Sequence, residues 1–354
     1  MSKPIKHIAV IRLSAMGDVA MTVPVILALV QQHPEVKITI VSRVFFRPFF
    51  KNIPNVDFFS AQVHHEHKGF LGLFRLYKDL KSKGITEIAD LHNVLRSKVI
   101  RTLFAFGGIK TAFVDKGRAE KAALTRSENK IFKQLPTMFE RHSNVFGQLG
   151  FPIDLNSQDI GKGFLQKQDL DPETVRLTGE ISKKTGIKLI GIAPFAQYDS
   201  KVYPLDLMQE VIDTLAKNKE YKILLFGGGK KEIELLDSLS KDKENVVNIA
   251  GKINFKQELK VISNLDVMLS MDSGNAHIAA MFGIKVITLW GATHPFAGFS
   301  PFNQPIENTL VSDRNLFPKI PTSVYGNKKV EGYERAMRTI PVEKIVSKIQ
   351  ELLA

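Results

Sequence analysis

The sequence predicts an α/β fold built from two doubly wound, parallel-sheet domains that face each other across a cleft. Short apolar runs of strand length alternate with helical stretches in both halves of the 354-residue chain. Glycine comes just after the end of three of the four strands predicted in the second half, the position where open α/β sheets bind ligands. Residues 151–184 are polar and contain prolines and glycines, so we place the domain boundary there: 1–165 and 166–354.

The elements follow in order from the hydrophobic pattern. In the first half we predict strands at 7–13, 37–42, 85–89 and 110–114, and helices at 19–32 and 94–106, the first of them interrupted by Pro24. In the second half we predict strands at 189–193, 222–226, 266–270 and 285–290, and helices at 278–282 and 341–353. The last helix, at 341–353, is predicted to pack either on its own domain or back on the first domain. Residues 295–341 have weak periodicity and predict a functional loop or a partly ordered insertion.

Composition excludes several classes of protein. With no cysteine, the chain has no disulfide scaffold, thiol nucleophile, iron–sulfur cluster or Cys-ligated zinc. No apolar run approaches the ~18 residues of a membrane span, so we expect a cytoplasmic protein. The net charge is +13, and residues 37–141 alone hold 20 Lys and Arg against 9 Asp and Glu. This local excess indicates an anionic partner, although a merely solvated basic surface is the alternative.

The turn after the first strand is the first candidate site. Its sequence is Ser14-Ala15-Met16-Gly17-Asp18, with Asp18 at or near the start of the next helix. Asp18 is therefore either a capping residue or a carboxylate held at the cleft edge as a general base. No GxGxxG pattern follows this strand, which argues against a dinucleotide site.

Two segments of the second half suit a phosphorylated ligand. Asp272, Ser273, Gly274 and His277 lie where a strand ends and a helix opens, and free N–H groups and the helix dipole bind phosphate at such a position. The alternative is a capped helix with a surface histidine. Lys201 follows the strand that ends at Pro194, and it is either a point charge for a diphosphate or an ordinary solvated lysine.

Three further groups are weaker candidates. Gly228, in a run of three glycines, precedes Glu232. The Glu232 carboxylate either accepts hydrogen bonds from ribose hydroxyls or lies on a solvated helix. His92, Arg96 and Lys98 follow a strand and suit an anionic acceptor. The cluster at 64–67 contains three histidines and a glutamate, but it lacks the i,i+4 spacing of a helical metal site, and we predict no metal.

Together these segments resemble glycosyltransferase family 9, the ADP-heptose:lipopolysaccharide heptosyltransferases. The matching motifs are S-x-x-G-D at 14–18, T-x-P at 22–24, D-L-H with R-S at 90–97, a lysine before an aromatic-Pro pair at 201–204, D-S-G-x-x-H-I-A-A at 272–280 and G-x-T at 291–293. Two features depart from the family pattern: Tyr203 stands where the family often has tryptophan, and the cysteines that many members carry after G-x-T are absent.

The resemblance implies a GT-B fold and an inverting, metal-independent transferase without a cofactor. Its implied donor is a nucleotide sugar, and ADP-heptose is the donor most common in the family. Its implied acceptor is an anionic, lipid-linked saccharide at the cytoplasmic face of the inner membrane. Asp18 would be the base and Lys201 would assist the leaving group. The implied donor-binding residues are Pro194, Lys201, Gly228, Glu232, Asp272, Ser273, Gly274 and His277. The implied acceptor-binding residues are Ser14, Met16, Gly17, His92, Arg96 and Lys98.

Other functions remain open at this point. A family member could use a different nucleotide sugar, and a nucleotide-sugar epimerase on the same fold would need no large anionic acceptor. The basic character of the chain and the aromatic-basic run at 43–51 also suit a nucleic-acid-binding protein. The same run suits contact with a membrane surface or an acceptor lipid, or simple burial of its four phenylalanines.

Overall fold

The strands of the N-terminal half run parallel in one sheet in the computed structural model, which describes residues 6–156, 165–179 and 186–354. The strands are β1 (His7–Ile11), β2 (Lys37–Ser42), β3 (Val56–Ser60), β4 (Glu87–Asp90) and β5 (Lys110–Phe113). Their order across the sheet is β3-β2-β1-β4-β5. Strand β1 is entirely buried and pairs with β2 and β4, so it lies at the centre.

Helices cover both faces of this sheet. They are α1 (Met16–Ala20), α2 (Thr22–Gln32), α3 (Gly69–Lys81), α4 (Leu95–Phe106) and α6 (Met138–Leu149). Ala9 and Ile11 of β1 join one buried cluster with Leu76 of α3 and Phe104 of α4. Because side chains alternate along a strand, the intervening residues of β1 point to the other face. There α2 contacts α6, which packs on β4 and β5.

A second parallel sheet occupies the C-terminal half. Its strands are β6 (Lys188–Ala193), β7 (Tyr221–Leu225), β8 (Val246–Asn248), β9 (Val267–Met271), β10 (Lys285–Trp290) and β11 (Thr309–Val311). Their order is β11-β10-β9-β6-β7-β8. The helices are α7 (Pro172–Thr178), α8 (Leu205–Ala216), α9 (Lys230–Ser240), α10 (Phe255–Ile262), α11 (Gly274–Met281) and α12 (Val342–Leu353). A single large apolar cluster joins α8, α9 and α12 to the sheet.

Contacts divide the chain into two units, and residues 117–135 belong to the second. This segment contains α5 (Arg118–Thr125), and the sequence analysis assigned it to the first domain. Lys130 explains the difference, because its Nζ donates to the carbonyl oxygens of Leu124, Lys319 and Pro321 at 2.6–3.1 Å. Phe132 adds an edge contact with the His294 ring at 4.9 Å. Lys319, Pro321 and His294 come from a distant part of the sequence, which local patterning does not reveal.

The C-terminal helix also packs within the second unit. Helix α12 contacts α8, β9 and β10. Its buried stripe of Ile345, Val346, Ile349 and Leu353 joins the core of that unit. The sequence analysis allowed this helix to pack on the first domain; the structure instead gives its apolar stripe a partner in the sheet next to it.

Most predicted elements are present, with bounds that shift by a few residues. The helix predicted at 19–32 is two helices that meet at Met21, and Pro24 lies in the first turn of α2, where a missing N–H costs no intrahelical bond. Strands β3, β8 and β11 were not predicted. Two of them are only three residues long, too short for a periodic signal.

The sequence left the structure of two segments open, the aromatic-basic run at 43–51 and residues 295–341, and both contain regular structure. The aromatic-basic run forms a 3₁₀ helix, Val44–Phe50, which buries Phe46, Phe49 and Phe50 and exposes Phe45. Residues 295–341 form the edge strand β11 and three 3₁₀ helices, at Pro295–Ala297, Ile306–Asn308 and Ala336–Thr339. Nowhere in the described part of the chain is a helix both long and apolar enough to cross a membrane.

Candidate active site

Each sheet has one point where its strand order reverses direction. In the first sheet this point lies between β1 and β4, and in the second it lies between β6 and β9. Open α/β sheets bind ligands outside the carboxyl ends of the strands at such points. The predicted site residues Asp18 and His92 follow β1 and β4, and Lys201 and Asp272 follow β6 and β9. Both sets therefore lie where the topology creates a binding crevice.

Asp18 occupies the third position of α1. Its Oδ2 accepts the backbone N–H of Ala15 at 3.1 Å and forms an ion pair with Arg12 Nη2 at 2.7 Å. The side chain is 31% exposed, so solvent reaches it. Asp18 is thus both a helix-start residue and an accessible, oriented carboxylate, and the two sequence interpretations are compatible.

Arg12 is the partner that the sequence analysis missed. It lies just after β1, and its side chain is buried. Nη1 donates to the carbonyl oxygen of Leu91 at 2.7 Å, so the guanidinium joins the ends of β1 and β4 to the start of α1. A buried arginine is held in place by such bonds, and a charge-assisted pair fixes the orientation of its partner. The available signal was a lone cation at the end of an otherwise apolar run.

The loop after β4 is organised by a buried aspartate. Asp90 Oδ1 accepts the backbone N–H groups of His92 and Asn93 at 3.0 and 2.7 Å, and Oδ2 pairs with Arg101 Nη1 at 3.2 Å. His92 is buried in this loop. Burial, assisted by the positive charges of Arg12 and Lys116, lowers the pKa of the His92 imidazole to about 3. His92 is therefore a neutral imidazole at neutral pH.

The low pKa of His92 makes stability depend on pH. In the unfolded chain the imidazole titrates near its ordinary value of 6.5, so the unfolded state binds the proton first as the pH falls. We expect His92 to cost about 2 kcal/mol of folding free energy at about pH 5 relative to neutral pH. Chemical denaturation of the wild type and of His92→Gln at both pH values measures this cost. The variant should lose less stability between the two pH values; an equal loss in both proteins would contradict the assignment.

Arg96 and Lys98 are exposed in the first turn of α4. That turn contains no acidic residue, so two cations lie at the positive end of the helix dipole. Such an arrangement opposes the dipole and favours an anion nearby. Ser14, Met16 and Gly17 lie at the start of α1, which follows the neighbouring strand β1. The structure therefore brings the predicted acceptor residues to one edge of the first sheet.

Lys201 and Asp272 form an ion pair across the second reversal point. Lys201 Nζ lies 3.1 Å from Asp272 Oδ2, and both side chains are almost enclosed, 12% and 9% exposed. The neighbouring residue Ser200 is fixed on two sides: its Oγ donates to the carbonyl oxygen of Gly326 at 2.6 Å, and its carbonyl oxygen accepts the N–H of Ala292 at 3.0 Å. Lys201 is therefore a positioned cation and not a solvated loop lysine.

The N-terminus of α11 lies beside this pair. Ser273 is the N-cap residue, and its Oγ is 3.1 Å from Ser270 Oγ. Gly274 is the first helical residue, and His277, one turn further, is buried. Backbone N–H groups at the start of this eight-residue helix and the ammonium of Lys201 together form an arrangement that suits a diphosphate.

The turn after β7 completes the predicted donor residues. Glu232 Oε2 accepts the backbone N–H of Gly228 at 2.8 Å, so this carboxylate holds the glycine turn. Pro194 is buried directly after β6, next to β7 in the sheet. The structure thus places both on the same edge of the second sheet as Lys201, and gives Glu232 a structural partner in addition to its predicted ribose contact.

Gly291 permits the close contact that holds the Lys201 loop. A Cβ at position 291 would collide with the backbone carbonyl oxygen of Ser200 and with the side chain of Met337. We expect Gly291→Ala to destabilise the protein by about 1–3 kcal/mol, because a backbone atom cannot move aside like a flexible side chain. Gly228→Ala is the matched control, since no atom lies within 4 Å of its Cβ position. Similar thermal unfolding midpoints for both variants would contradict the prediction.

The histidine cluster at 64–67 has a structural explanation. His67 is buried, its Nδ1 accepts the N–H of Gln62 at 2.9 Å, and its Nε2 is 3.2 Å from Asp79 Oδ2. His64 and His65 are exposed. Within the described ranges, no group of three or more His, Asp or Glu side chains is arranged to hold a metal ion.

Comparison with known families identifies the chain. The model of glycosyltransferase family 9 (heptosyltransferase) matches residues 73–323, more than half of the sequence. The chain belongs to glycosyltransferase family 9. It is a glycosyltransferase with a GT-B fold of two parallel-sheet α/β units. This membership favours the transferase interpretation over the epimerase and nucleic-acid-binding alternatives.

Individual relatives of this family 9 enzyme are distant but match over nearly its whole length. It is 24% identical to the lipopolysaccharide core heptosyltransferase OpsX of Haemophilus influenzae, covering 98% of this chain and 97% of the relative. It is 27% identical to lipooligosaccharide heptosyltransferase 2 of the same organism, covering 98% and 99%.

Solved structures show the same fold. A family 9 glycosyl transferase from Veillonella parvula matches with a TM-score of 0.73 at 20% identity, covering 100% of this chain and 98% of the other. Escherichia coli heptosyltransferase WaaC with ADP matches with a TM-score of 0.68 at 18% identity, covering 98% and 99%. At these identities the similarity establishes the fold alone.

Tyr203 shows how this family 9 chain accommodates its departure from tryptophan. The ring is fully buried in the core of the second unit, and its hydroxyl donates to the carbonyl oxygen of Ile340 at 2.7 Å. Burial, with nearby acidic groups, raises the pKa of that hydroxyl to about 12. Tyr203 thus fills a core position and anchors the residues before α12.

Proposed function

We propose that this enzyme transfers a heptosyl residue from ADP-heptose to a lipopolysaccharide core acceptor with inversion at the anomeric carbon. The observation that carries the proposal is the placement of Lys201 beside the N-terminus of α11, at the reversal point of the second sheet. A cation and aligned N–H groups suit the diphosphate of a nucleotide sugar. The relatives are lipopolysaccharide and lipooligosaccharide heptosyltransferases, and the sugar and the acceptor class of the proposal come from them.

The donor side needs no metal in this proposal. The positive charge that a divalent cation supplies to a diphosphate in many transferases would come from Lys201 and from the α11 dipole. Asp272 would orient Lys201, and Ser273, Gly274 and His277 would line the diphosphate. Transfer should accordingly persist in the presence of a chelator.

The acceptor side uses the first unit. Asp18, held by Arg12 and the Ala15 N–H, would take the proton from the acceptor hydroxyl. Arg96 and Lys98 would hold the anionic groups of the acceptor at the start of α4. His92, a neutral imidazole near Asp18 and Arg12, would contact the acceptor as a hydrogen-bonding group rather than as a cation.

One step accounts for the reaction. The acceptor oxygen attacks the anomeric carbon, its proton passes to the Asp18 carboxylate, and the bond from the anomeric carbon to the diphosphate oxygen breaks. The transition state resembles an oxocarbenium ion, and negative charge develops on the departing ADP. Lys201 and the α11 N–H groups would bind this charge more strongly than the intact donor, so they would accelerate the step.

A panel of nucleotides tests the donor assignment. Thermal shifts are measured with ADP, UDP, GDP, CMP and NAD, for the wild type and for Lys201→Ala. We expect a selective shift with ADP that Lys201→Ala lacks, followed by ADP release when ADP-heptose and acceptor are both present. A selective shift with UDP or GDP would replace the donor but keep the enzyme class, and hydrolysis or epimerisation of ADP-heptose without acceptor dependence would contradict the proposal.

The enzyme would meet its acceptor as a peripheral protein on the cytoplasmic face of the inner membrane. A lipid-linked acceptor resides in that membrane, and the basic excess of the first half of the chain suits its anionic surface.

A further inference from the structure

The carboxyl edge of the first sheet exposes five large apolar side chains on one side of β1. They follow β2 and β3, which are neighbours in the sheet. Their exposed fractions range from 40% to 84%. The five are Val44, Phe45, Phe70, Leu71 and Phe74. Large apolar side chains left in water along one edge of a folded protein mark a surface that binds another apolar surface.

Helix α3 is apolar on two sides at its beginning. Leu73, Leu76 and Leu80 are buried against the sheet, whereas Phe70, Leu71 and Phe74 project from the first turns on the solvent side. At 100° per residue, this outward group continues into Lys78 and Lys81 on later turns. The outward side of α3 is therefore apolar at the carboxyl edge of the sheet and basic further along.

The first turn of α3 is held firmly against the loop before it. A Cβ at Gly72 would collide with the backbone of His67, so the helix and the loop are in direct backbone contact. His67 is in turn bonded to Gln62 and Asp79. Phe70, Leu71 and Phe74 therefore project from a fixed support, which lowers the entropy cost of binding a surface.

The exposed apolar side chains lie among basic residues. Segments 43–51 and 64–78 together contain six Lys and Arg and a single Glu. Arg47, Lys68, Arg75 and Lys78 are exposed, and Lys78 lies over the ring of Phe74, with its Nζ 4.9 Å from the ring centroid. We call the five apolar side chains and these four cations the α3 edge. Exposed apolar side chains interspersed with cations along one edge are complementary to a bilayer whose headgroups are anionic.

We propose that the α3 edge docks on an anionic lipid bilayer, with its apolar side chains between the headgroups and its cations at the phosphates. This inference rests on the proposed function and deepens it, because it names the surface that reaches the membrane. The α3 edge lies on the same sheet edge as Asp18, since β2 is next to β1 and all five strands are parallel. Docking therefore places the carboxylate that receives the acceptor's proton on the side of the unit that faces the lipid.

The chemistry of the exposed side chains favours lipid over nucleic acid. Sites for single strands use aromatic rings that stack on bases, whereas Val44 and Leu71 have no flat face to stack. Aliphatic side chains instead gain free energy by leaving water for the acyl boundary. A second copy of the chain would bring the same basic residues together, so charge disfavours that occupant.

Vesicle co-sedimentation of the full chain tests the proposal. We expect binding to phosphatidylglycerol-containing vesicles, weaker binding to pure phosphatidylcholine, and weakening by salt. Phe70→Ser/Leu71→Ser should reduce partitioning about tenfold or more, because two large side chains lose their apolar contact. Arg75→Gln/Lys78→Gln should reduce it by roughly fivefold per charge.

Matched variants at the ends of α3 and α4 that lie away from the carboxyl edge provide the control. Phe106, 87% exposed, ends α4, and Lys81 ends α3, so both lie away from the carboxyl edge. Phe106→Ser and Lys81→Gln should bind vesicles like the wild type. Equal losses in the control and α3-edge variants would overturn the proposal, as would absence of vesicle binding by the wild type. The wild type could instead bind no vesicles but form a dimer that the α3-edge variants abolish, which would assign the surface to a second copy of the chain. Tight binding of duplex or single-stranded DNA that the same variants abolish, again without vesicle binding, would assign it to nucleic acid.

A delipidated acceptor separates this inference from the proposed function. Both α3-edge variants should transfer sugar to a water-soluble acceptor saccharide at the wild-type rate and lose activity only with acceptor in vesicles. If the wild type binds vesicles but transfers nothing to either acceptor, the proposed function fails and the docking surface stands. Equal loss of activity on both acceptors would show that the α3 edge belongs to the reaction site and not to a membrane contact.

Discussion

Asp18→Asn is expected to lower kcat for sugar transfer by about three orders of magnitude, since an amide cannot take the acceptor proton. Asparagine keeps the size of the side chain and an oxygen that accepts the Ala15 N–H. The variant therefore removes the charge while retaining most of the local geometry. Steady-state kinetics with ADP-heptose and acceptor saccharide measure the effect.

The donor affinity of this variant is the informative control. Asp18 lies in the first unit and the predicted donor residues lie in the second. ADP binding by calorimetry should therefore remain near the wild-type value. Asp57→Asn serves as a matched substitution, because this aspartate pairs with Lys37 at 3.1 Å on the exposed edge of the first sheet. A comparable loss of ADP affinity and of turnover in Asp18→Asn would remove the general-base assignment.

Lys201→Ala is expected to weaken ADP binding by about 10- to 100-fold, the contribution of a hydrogen bond to a charged group. It should lower kcat as well, because charge on the leaving diphosphate grows in the transition state. The substitution also leaves Asp272 without its ion-pair partner in an almost enclosed site, so a loss of stability accompanies it. Calorimetric titration with ADP and thermal unfolding measure the two effects separately.

Asp272→Asn distinguishes direct binding from positioning. It breaks the same ion pair from the other side and leaves the cation in place. If Lys201 binds the diphosphate, Lys201→Ala should lose much more ADP affinity than Asp272→Asn. Lys243→Ala provides a further comparison, since this lysine pairs with Asp213 away from the carboxyl edge of the sheet. Equal ADP affinities in the Lys201→Ala and Lys243→Ala proteins would exclude Lys201 from the donor site.

Local sequence was sufficient to predict the α/β class, the central strands and the turns that contain the candidate site residues. The reason is physical: a buried parallel strand reads as a short apolar run, and a ligand-binding turn requires small or polar residues directly after it. The motif at 272–280 and Lys201 were both found in this way, and the structure brings them together as the ion pair at the second reversal point. The family assignment followed from the order and spacing of such turns.

Partners that are distant in sequence could not be predicted. The bond from Arg12 to Leu91 joins the ends of two strands that are adjacent only because of the sheet order. Ser200 is held by Ala292 and Gly326, which are far from it in sequence and close to it only in the folded chain. The assignment of residues 117–135 to the second unit likewise depends on carbonyl groups near 320 that accept from Lys130.

The sequence by itself determined the fold class and which turns form the candidate site, because both follow from local periodicity and residue type. Only the tertiary structure decided which charge orients Asp18, which residues hold Lys201, and which phenylalanines face solvent. Phe46 and Phe45 are adjacent in one aromatic run, yet one is buried and the other exposed. That choice depends on the packing of the 3₁₀ helix against α1, β2 and β3, and no pattern within the run encodes it.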